Sequence, residues 1–221
     1  MDENLSEIER AEWLKGVIRD NWIYAVLGVA IALGGLYGWR AWQGSLDQRS
    51  VDASARFEQM LEALSRNERE KAFKIGAEIK DEFGSTPFAD QAELVLARAH
   101  VESGELDKAA TRLAAVMSST DDAELALVAR LRLARVQIAQ GSADQALATL
   151  DGAKTTVGDA RVQELRGDAL LAKGDRAGAL KAYQAARTAA QASQEQGLVD
   201  VELLELKIDD LAGAATAAAA P

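Results

Sequence analysis

The sequence predicts an all-α protein with a single N-terminal transmembrane helix followed by a domain of stacked helical hairpins, an α-solenoid. Three observations carry this prediction. No charge occurs between Asp20 and Arg40, only two prolines occur in 221 residues, and a pattern of glycine and alanine recurs three times in the second half of the chain. Because β-branched residues are nowhere concentrated, no segment of the chain favours a strand.

We expect four segments along the chain. An N-terminal tail covers 1–20 and the transmembrane helix covers 21–42. The repeat domain extends over 43–212 and ends in a capping helix that begins near Gln194, because an array of hairpins needs a cover for its exposed end. Residues 213–221 are low in complexity and rich in alanine, so we expect them to be disordered.

The uncharged stretch, 21–39, has the length of one membrane span. Its nineteen residues form roughly 28 Å of α-helix at about 1.5 Å per residue, and the hydrocarbon core of a bilayer is about 30 Å thick. Aromatic rings suited to the membrane interface stand at both ends: Trp22, Tyr24, Tyr37, Trp39 and Trp42. The sequence therefore predicts contact with a lipid bilayer.

Two alternatives to an uncleaved anchor are weighed. A signal peptide has a shorter apolar core and small residues at its cleavage site, whereas "GWRAWQGS" follows here. A buried helix of a soluble protein is more often shorter and contains fewer glycines. The orientation is left open by charge, because the basic residues near the two ends are equal in number: Arg10, Lys15 and Arg19 before, and Arg40, Arg49 and Arg56 after.

Small residues recur every four positions in the second half of the span, at Ala30, Gly34 and Gly38. They share one helix face, and such a face lets a second transmembrane helix approach closely. The pattern predicts lateral helix packing. The alternative is that glycine and alanine are simply frequent in transmembrane helices.

The recurring pattern consists of "GELDKAATRL" from Gly104, "GSADQALATL" from Gly141 and "GDRAGALKAY" from Gly174. In each copy, an alanine follows the glycine by five residues, a large apolar residue follows it by nine, and a small residue precedes it by seven. These positions are Ala109, Ala146 and Ala179; Leu113, Leu150 and Tyr183; and Ala97, Ala134 and Gly167. A degenerate copy is expected at Asn67, with Ala72 five residues on.

The intervals of 37 and 33 residues are typical of tetratricopeptide repeats, whose period is about 34. The alternative is an ordinary helical bundle with coincidental glycines. Gly84 is expected to follow the end of a helix, and Thr86 is expected to cap the start of the next one, with Pro87 in its first turn. Asp121 is expected to be an N-cap, with Glu124 three residues later.

Composition and motifs argue against catalysis. The formal net charge of −10 argues against binding of nucleic acid. With no cysteine and one histidine, thiolate chemistry and metal sites built from nitrogen and sulfur are excluded. We therefore expect no enzyme, no metal and no cofactor. His100 falls where these repeats usually carry a tyrosine that packs between helices, so we expect a structural role for it.

A binding groove is the function that helical repeats offer instead, because the first helix of each hairpin lines a concave surface. The residues six and ten positions before the glycine should face it. The predicted partner-binding residues are Leu94, Arg98, Leu131 and Arg135, and in the third copy Glu164 and Asp168 take these positions. The arginines are suited to a peptide carboxylate or an acidic, apolar segment. The alternative is that they pair with neighbouring acids such as Glu102.

Nearly the whole chain, from Ile8 to Ala212, resembles the YfgM-like family of ancillary SecYEG translocon subunits. The segments that carry the resemblance are "GWRAW" at 38–42, "LRLARVQ" at 131–137, "LRGDALLAKGD" at 165–175 and "LKIDDLA" at 206–212. The repeats of this chain do not keep the tryptophan and terminal proline of the tetratricopeptide pattern and are therefore divergent, and the family has no catalytic motif to carry over.

The resemblance implies an inner-membrane protein with its N-terminus in the cytoplasm and its repeats in the periplasm. Its implied partners are the SecYEG translocon, a membrane-anchored periplasmic chaperone related to prolyl isomerases, and newly exported proteins. The implied task is to help these proteins pass to periplasmic folding factors. A scaffold for envelope assembly or division, and a regulator of stress signalling, use the same architecture and stay open as alternatives.

Overall fold

The computed structural model describes residues 7–153, 159–192 and 199–218, and it assigns α-helices and turns to them without any strand. The helices follow one another with short connections. Their bounds are α1 Glu7–Ser65, α2 Arg69–Phe83, α3 Pro87–Glu102, α4 Leu106–Ser119, α5 Ala123–Ala139, α6 Ala143–Asp151, α7 Asp159–Ala172, α8 Arg176–Ala192 and α9 Val201–Ala218.

The chain divides into two compact units, Met1–Asp52 and Ala53–Pro221. In the described part of the first unit, α1 is the one element, and its large apolar side chains are exposed. Of the helices in the described ranges, α1 from Trp22 onward is the one that is long and apolar enough to cross a membrane. The first unit is therefore a candidate membrane anchor.

The second unit is a stack of helical hairpins. The pairs α3–α4, α5–α6 and α7–α8 turn at Gly104, Gly141 and Gly174, whose φ angles are +73°, +75° and +89°. Glycine has no Cβ to clash in this left-handed conformation. Asn67, at the preceding turn between α1 and α2, has φ +61°. The degenerate first copy therefore makes the same turn as the other three, with asparagine in place of glycine.

The alanines of the repeat pattern lie at helix crossings, since Ala109, Ala146 and Ala179 are all completely buried. Gly167 provides the same close approach in the last hairpin: a Cβ on this residue would overlap the ring of Tyr183. Tyr183 is itself completely buried. The expected tetratricopeptide-like arrangement, with small residues where helices cross, is confirmed.

Within the described ranges, the apolar core is divided into four clusters along the stack. One cluster joins α1, α2 and α3, the next joins α3, α4 and α5, a third joins α5, α6 and α7, and the last joins α7, α8 and α9. Each cluster thus links one hairpin to the first helix of the next. In the last cluster, Leu204, Ile208 and Leu211 of α9 cover the end of the array.

Three details differ from the sequence-based expectation. Gly84 has φ −55°, so α2 ends without a left-handed residue. The N-cap of α5 is Asp122 rather than Asp121, because the Asp122 carboxylate accepts hydrogen bonds from the backbone N–H groups of Glu124 and Leu125. Helix α9 begins at Val201 and continues through Ala218, past Ala212, because alanine favours helix. Residues 194–198 and 219–221 lie outside the described ranges.

Candidate partner-binding groove

A cavity of about 270 Å³ opens between α3 and α5, the first helices of two successive hairpins. Arginine side chains line its walls, and aliphatic side chains, among them Leu113 of α4, form its floor. The lining residues are Leu94, Ala97, Arg98, Val101, Leu113, Arg132, Arg135 and Val136. We call this surface the basic groove. Three of the four residues predicted from the repeat register, Leu94, Arg98 and Arg135, meet in it.

The predicted leucines are mostly core residues. Leu94 borders the basic groove but is only 5% exposed, and it belongs to the cluster that joins α3, α4 and α5. Leu131 is 8% exposed and packs with Leu150 and Leu165 in the next cluster, so it does not line the cavity. Leu131 thus lies outside the lining of this cavity, and its role in partner binding stays a prediction.

Arg98 forms the local ion pair that the sequence left open as an alternative. Its Nε donates to Oε1 of Glu102, one turn later on α3, at 2.8 Å. Both side chains stay largely exposed, so this pair is weak and easily exchanged. Arg98 also lines a second cavity of about 520 Å³, together with Leu61 and Leu64 of α1 and Val95 of α3.

Arg135 differs from Arg98, because it forms no ion pair within the part of the chain that the structure describes. Burial and then the nearby charge of Arg161 lower its pKa, against the opposing effect of Glu164 and Asp168. A guanidinium nevertheless stays protonated at any physiological pH. The basic groove therefore holds a positive charge that its own chain does not fully compensate.

The third hairpin reverses the charge of this face. Glu164 and Asp168 of α7 occupy the register of Leu94 and Arg98, and Nζ of Lys207 on α9 donates to them at 3.0 and 2.8 Å. Burial lowers the pKa of Lys207, but the hydrogen bonds to Asp168 and Glu164 outweigh this effect and raise it overall. The hydroxyl of Tyr183 also donates to Asp168, at 2.7 Å. The acids of α7 are thus already paired.

Sequence reasoning missed Arg132 and Val101 as lining residues. Arg132 lies next to the predicted Leu131, and Val101 is 41% exposed on α3. Val101 could have been found from the sequence, because it is an apolar residue near the end of α3 that occupies none of the core positions of the repeat. The repeat register predicts two lining positions per hairpin, whereas in the structure the last turn of α3 also contributes, through Val101.

His100 is buried between helices, as its place in the repeat predicts. Its ring stacks on Phe73 with a centroid distance of 4.4 Å, and Nδ1 lies 2.7 Å from Oε2 of Glu105. The hydrogen bond from Lys108, followed by that from His100, lowers the pKa of Glu105 to about 2. These contacts fix the turn between α3 and α4.

A polar cavity of about 850 Å³ lies beside His100, between α2 and α4. Arg112 donates twice to the buried Glu93, at 3.0 and 2.8 Å, and Arg69 donates to the carbonyl of Ala99 at 3.0 Å. Both guanidinium groups also lie against the ring of Phe73. Because its charges are paired with each other, this cavity offers less to a partner than the basic groove.

In the first unit, the residues predicted to meet lipid or another helix are exposed. A Cβ at Gly34 or Gly38 would meet nothing within 4 Å, and Ala30 on the same face is exposed as well. Trp22, Tyr24, Tyr37, Trp39 and Trp42 are between 54% and 75% exposed. Lateral packing and interface contact stay predictions for these residues.

The comparisons with known proteins cover most of the chain. Residues 15–213 match the family described as "Tetratricopeptide repeat-like domain". The "Ancillary SecYEG translocon subunit" of Escherichia coli is 34% identical over 81% of this chain and 86% of its own length. The protein of the same name from Aggregatibacter actinomycetemcomitans is 30% identical over 96% of this chain and its whole length, and the one from Haemophilus influenzae is 26% identical over the same shares.

Solved structures support the fold alone. MamA 41-end from Desulfovibrio magneticus RS-1 is 19% identical, with a TM-score of 0.50 over 74% of this chain and 89% of its own. A MamA RS-1 ArsTM double mutant is 16% identical, with the same score over 73% and 95%. The family match over 15–213 and the relatives that are 34% and 30% identical show that the chain belongs to the tetratricopeptide repeat-like ancillary SecYEG translocon subunit family.

Proposed function

We propose that this chain is a non-enzymatic ancillary subunit of the Sec translocon of the bacterial inner membrane. The relatives of that name, which match 81% to 96% of the chain, are the observation that carries the proposal. In it, α1 is a single-pass anchor, the N-terminus is cytoplasmic, and the repeat unit lies in the periplasm. The repeats bind a membrane-anchored chaperone related to prolyl isomerases, newly exported proteins, or both, and aid hand-over to periplasmic folding factors.

The basic groove supports the binding role. Its floor is apolar and its rim carries Arg98, Arg132 and Arg135, although the whole chain is acidic with a net charge of −10. A groove of this kind fits an amphipathic segment that places aliphatic residues on the floor and carboxylates at the rim. The rest of the acidic surface repels such a segment and thereby directs it to the groove.

The exposed small-residue face of α1 supports the membrane part of the proposal. Gly34 and Gly38 leave open space beside the helix, and close backbone approach is how transmembrane helices associate in lipid. Docking on a translocon helix uses this face without involving the repeat unit.

Topology is the first experiment. In the cysteine-free chain, Ser142→Cys places a single thiol at the N-cap of α6, and Ser6→Cys places one before the span. We expect an impermeant maleimide to label Ser142→Cys in intact spheroplasts and Ser6→Cys only after lysis. The reverse pattern places the repeats in the cytoplasm and favours a cytoplasmic scaffold.

Membrane association is tested by Gly34→Leu in the full chain. We expect it to reduce co-purification with SecYEG in a mild detergent, because leucine prevents close approach on that face. Gly28→Leu, on another face of the same helix, is the matched control and should co-purify as the unchanged chain does. Equal recovery of SecYEG with both variants contradicts docking through the small-residue face.

Groove binding is tested by Arg98→Glu combined with Arg135→Glu. We expect a loss of about tenfold or more in affinity for the chaperone, since the substitution replaces attraction by repulsion at the rim. Arg176→Glu with Lys181→Glu makes the same charge change on the exposed face of α8 and should leave the affinity unchanged. Equal affinity of all three proteins, measured by calorimetry, removes the basic groove from the proposal.

A further inference from the structure

Helix α9 has a second apolar face that the core does not use. Leu204, Ile208 and Leu211 are buried and cover the end of the stack, whereas Leu203 and Leu206 are 46% and 66% exposed. Among the described residues of the repeat unit, Leu206 is the most exposed large apolar one. Because Leu203 and Leu206 are three residues apart on a helix, they lie side by side.

Acidic residues surround these two leucines. Glu202, Glu205, Asp209 and Asp210 are all exposed on the same helix. Asp210 lies one turn after Leu206, and Glu202 lies one turn before it, so carboxylates flank the leucines along the axis. This surface, which we call the acidic face of α9, has the amphipathic chemistry that the basic groove fits.

The acidic face of α9 does not serve its own groove. The opposite side of α9 is held in the last core cluster, and Lys207 is held by Glu164 and Asp168 of α7. The exposed face is therefore presented outward, to solvent or to another molecule. The basic groove, formed by α3 and α5, presents exposed Arg98 and Val101 in the same way.

We propose that the acidic face of α9 from one copy binds in the basic groove of a second copy. Leu203 and Leu206 fill the apolar floor beside Val101, while Asp209 and Asp210 meet Arg98 and Arg135 at the rim. The carboxylates replace the exposed Glu102 as partners of Arg98 and supply an ion-pair partner to Arg135, which has none among the described residues. The inference deepens the proposed function and rests on its groove being a helix-binding surface.

The consequence is regulation by self-occupancy. A groove filled by α9 of a neighbour is closed to the chaperone or to an exported chain, and any such partner must displace that helix. The ratio of copies with a free groove to copies with an occupied groove then depends on the density of the protein in the membrane and on the supply of partners. Since both faces occur once in each chain, the contact is reciprocal in a closed dimer or continues along a row of copies.

Charge exchange tests the contact. The full chain in detergent is examined by sedimentation velocity over a range of concentrations. We expect self-association of the unchanged chain, and a weakening of about tenfold or more both in Arg98→Glu/Arg135→Glu and in Asp209→Lys/Asp210→Lys. A mixture of the two variants should form a heterocomplex, because the reversed charges are complementary again. Circular dichroism confirms that each variant is folded.

Controls separate this contact from others. Arg176→Glu/Lys181→Glu should self-associate as the unchanged chain does, and association through the span is reported by Gly34→Leu. A chain that is monomeric at every concentration overturns the proposal, and so does association that neither charge reversal weakens. Failure of the mixture to associate, when both variants are folded, also contradicts it.

Cross-linking then identifies the surfaces. Val101→Cys and Leu206→Cys are made in separate, differently tagged copies of the cysteine-free chain. Oxidation of the mixture should give the mixed disulfide in excess of either homodimer, whereas random collision gives all three species and overturns the assignment. Co-purification with SecYEG and chaperone affinity are measured on the same charge variants. Loss of self-association in the charge variants, with SecYEG retained, supports the inference. Retained self-association in both variants contradicts it whether or not SecYEG is retained, and failure of the unchanged chain to co-purify with SecYEG counts only against the proposed function.

Discussion

The two units of the molecule use apolar residues in opposite ways. In the first unit, Tyr24 and Tyr37 are 72% and 75% exposed, and the large aliphatic residues between them are also largely exposed. In the second, Met60, Leu96 and Tyr183 are completely buried. The apolar surface of the first unit therefore needs lipid or another helix, whereas the second unit buries its own. The overall composition, which is 48% hydrophobic, does not reveal this difference between the units. The distribution of charged residues does, because the first unit contains the long uncharged stretch.

Glycine shows the same contrast. At Gly34 and Gly38 an added Cβ meets open space, whereas at Gly167 it would overlap the ring of Tyr183. Small residues in the first unit leave room for a partner from outside, while those in the second are required by neighbours within the chain. Substitutions at these positions separate folding from association.

The largest effect on stability is expected for Gly167→Leu. The leucine side chain has no space against Tyr183, and overpacking of this kind costs about 3 kcal/mol at the upper end of its usual range. Urea unfolding of the full chain in detergent, followed by circular dichroism, should show a lower midpoint. Gly34→Leu should leave that midpoint unchanged, and an equal loss in both variants would contradict the contrast between the units.

An intermediate effect is expected for Gly141→Ala. Its φ of +75° is unfavourable for a residue with a Cβ, by about 1 to 2 kcal/mol. Gly44→Ala, in open space within α1, is the matched control and should not lower the midpoint of unfolding. Asn67→Gly, at the first turn, should be neutral or slightly stabilising, because the same left-handed conformation suits glycine better. A destabilised Asn67→Gly would show that the asparagine side chain is needed.

The smallest effect is expected for Glu105 and depends on pH. Its pKa falls from the usual 4.5 to about 2 in the folded chain, chiefly through the hydrogen bond from Lys108 and then that from His100. A carboxylate with a lowered pKa stabilises the fold above the unfolded pKa, and this contribution is lost as pH falls from about 4.5 towards 2.

Glu105→Gln should therefore show a flatter decline of the unfolding midpoint over that acid range than the unchanged chain. The group is exposed and the effect is screened by salt, so a small difference that shrinks at high ionic strength is the expected result. A decline of identical steepness in both proteins would exclude a contribution from the Glu105 contacts.

The repeat positions could be predicted from sequence because each is dictated by backbone geometry or by close packing. The turns at Gly104, Gly141 and Gly174 and the degenerate turn at Asn67 all have the left-handed backbone that their residue types favour. The buried alanines follow from the same register. These are local constraints, and the sequence expresses them directly.

The groove could be predicted only in part, because it depends on contacts between hairpins. Register places Leu94 and Leu131 at equivalent positions, but it does not reveal that both are buried in core clusters, Leu94 with α4 and α5 and Leu131 with α6 and α7. Likewise, register does not reveal that Arg98 pairs with Glu102 while Arg135 lacks an ion pair among the described residues. The N-cap of α5 differs from the prediction by one residue, Asp122 instead of Asp121, because either carboxylate fits the sequence pattern.

The division of the core into four clusters has a mechanical consequence. Among the described residues, no cluster extends over more than three consecutive helices, so a load applied along the stack is shared by several small cores instead of one continuous interior. We expect small adjustments between neighbouring hairpins to let the basic groove accept partner segments of different width.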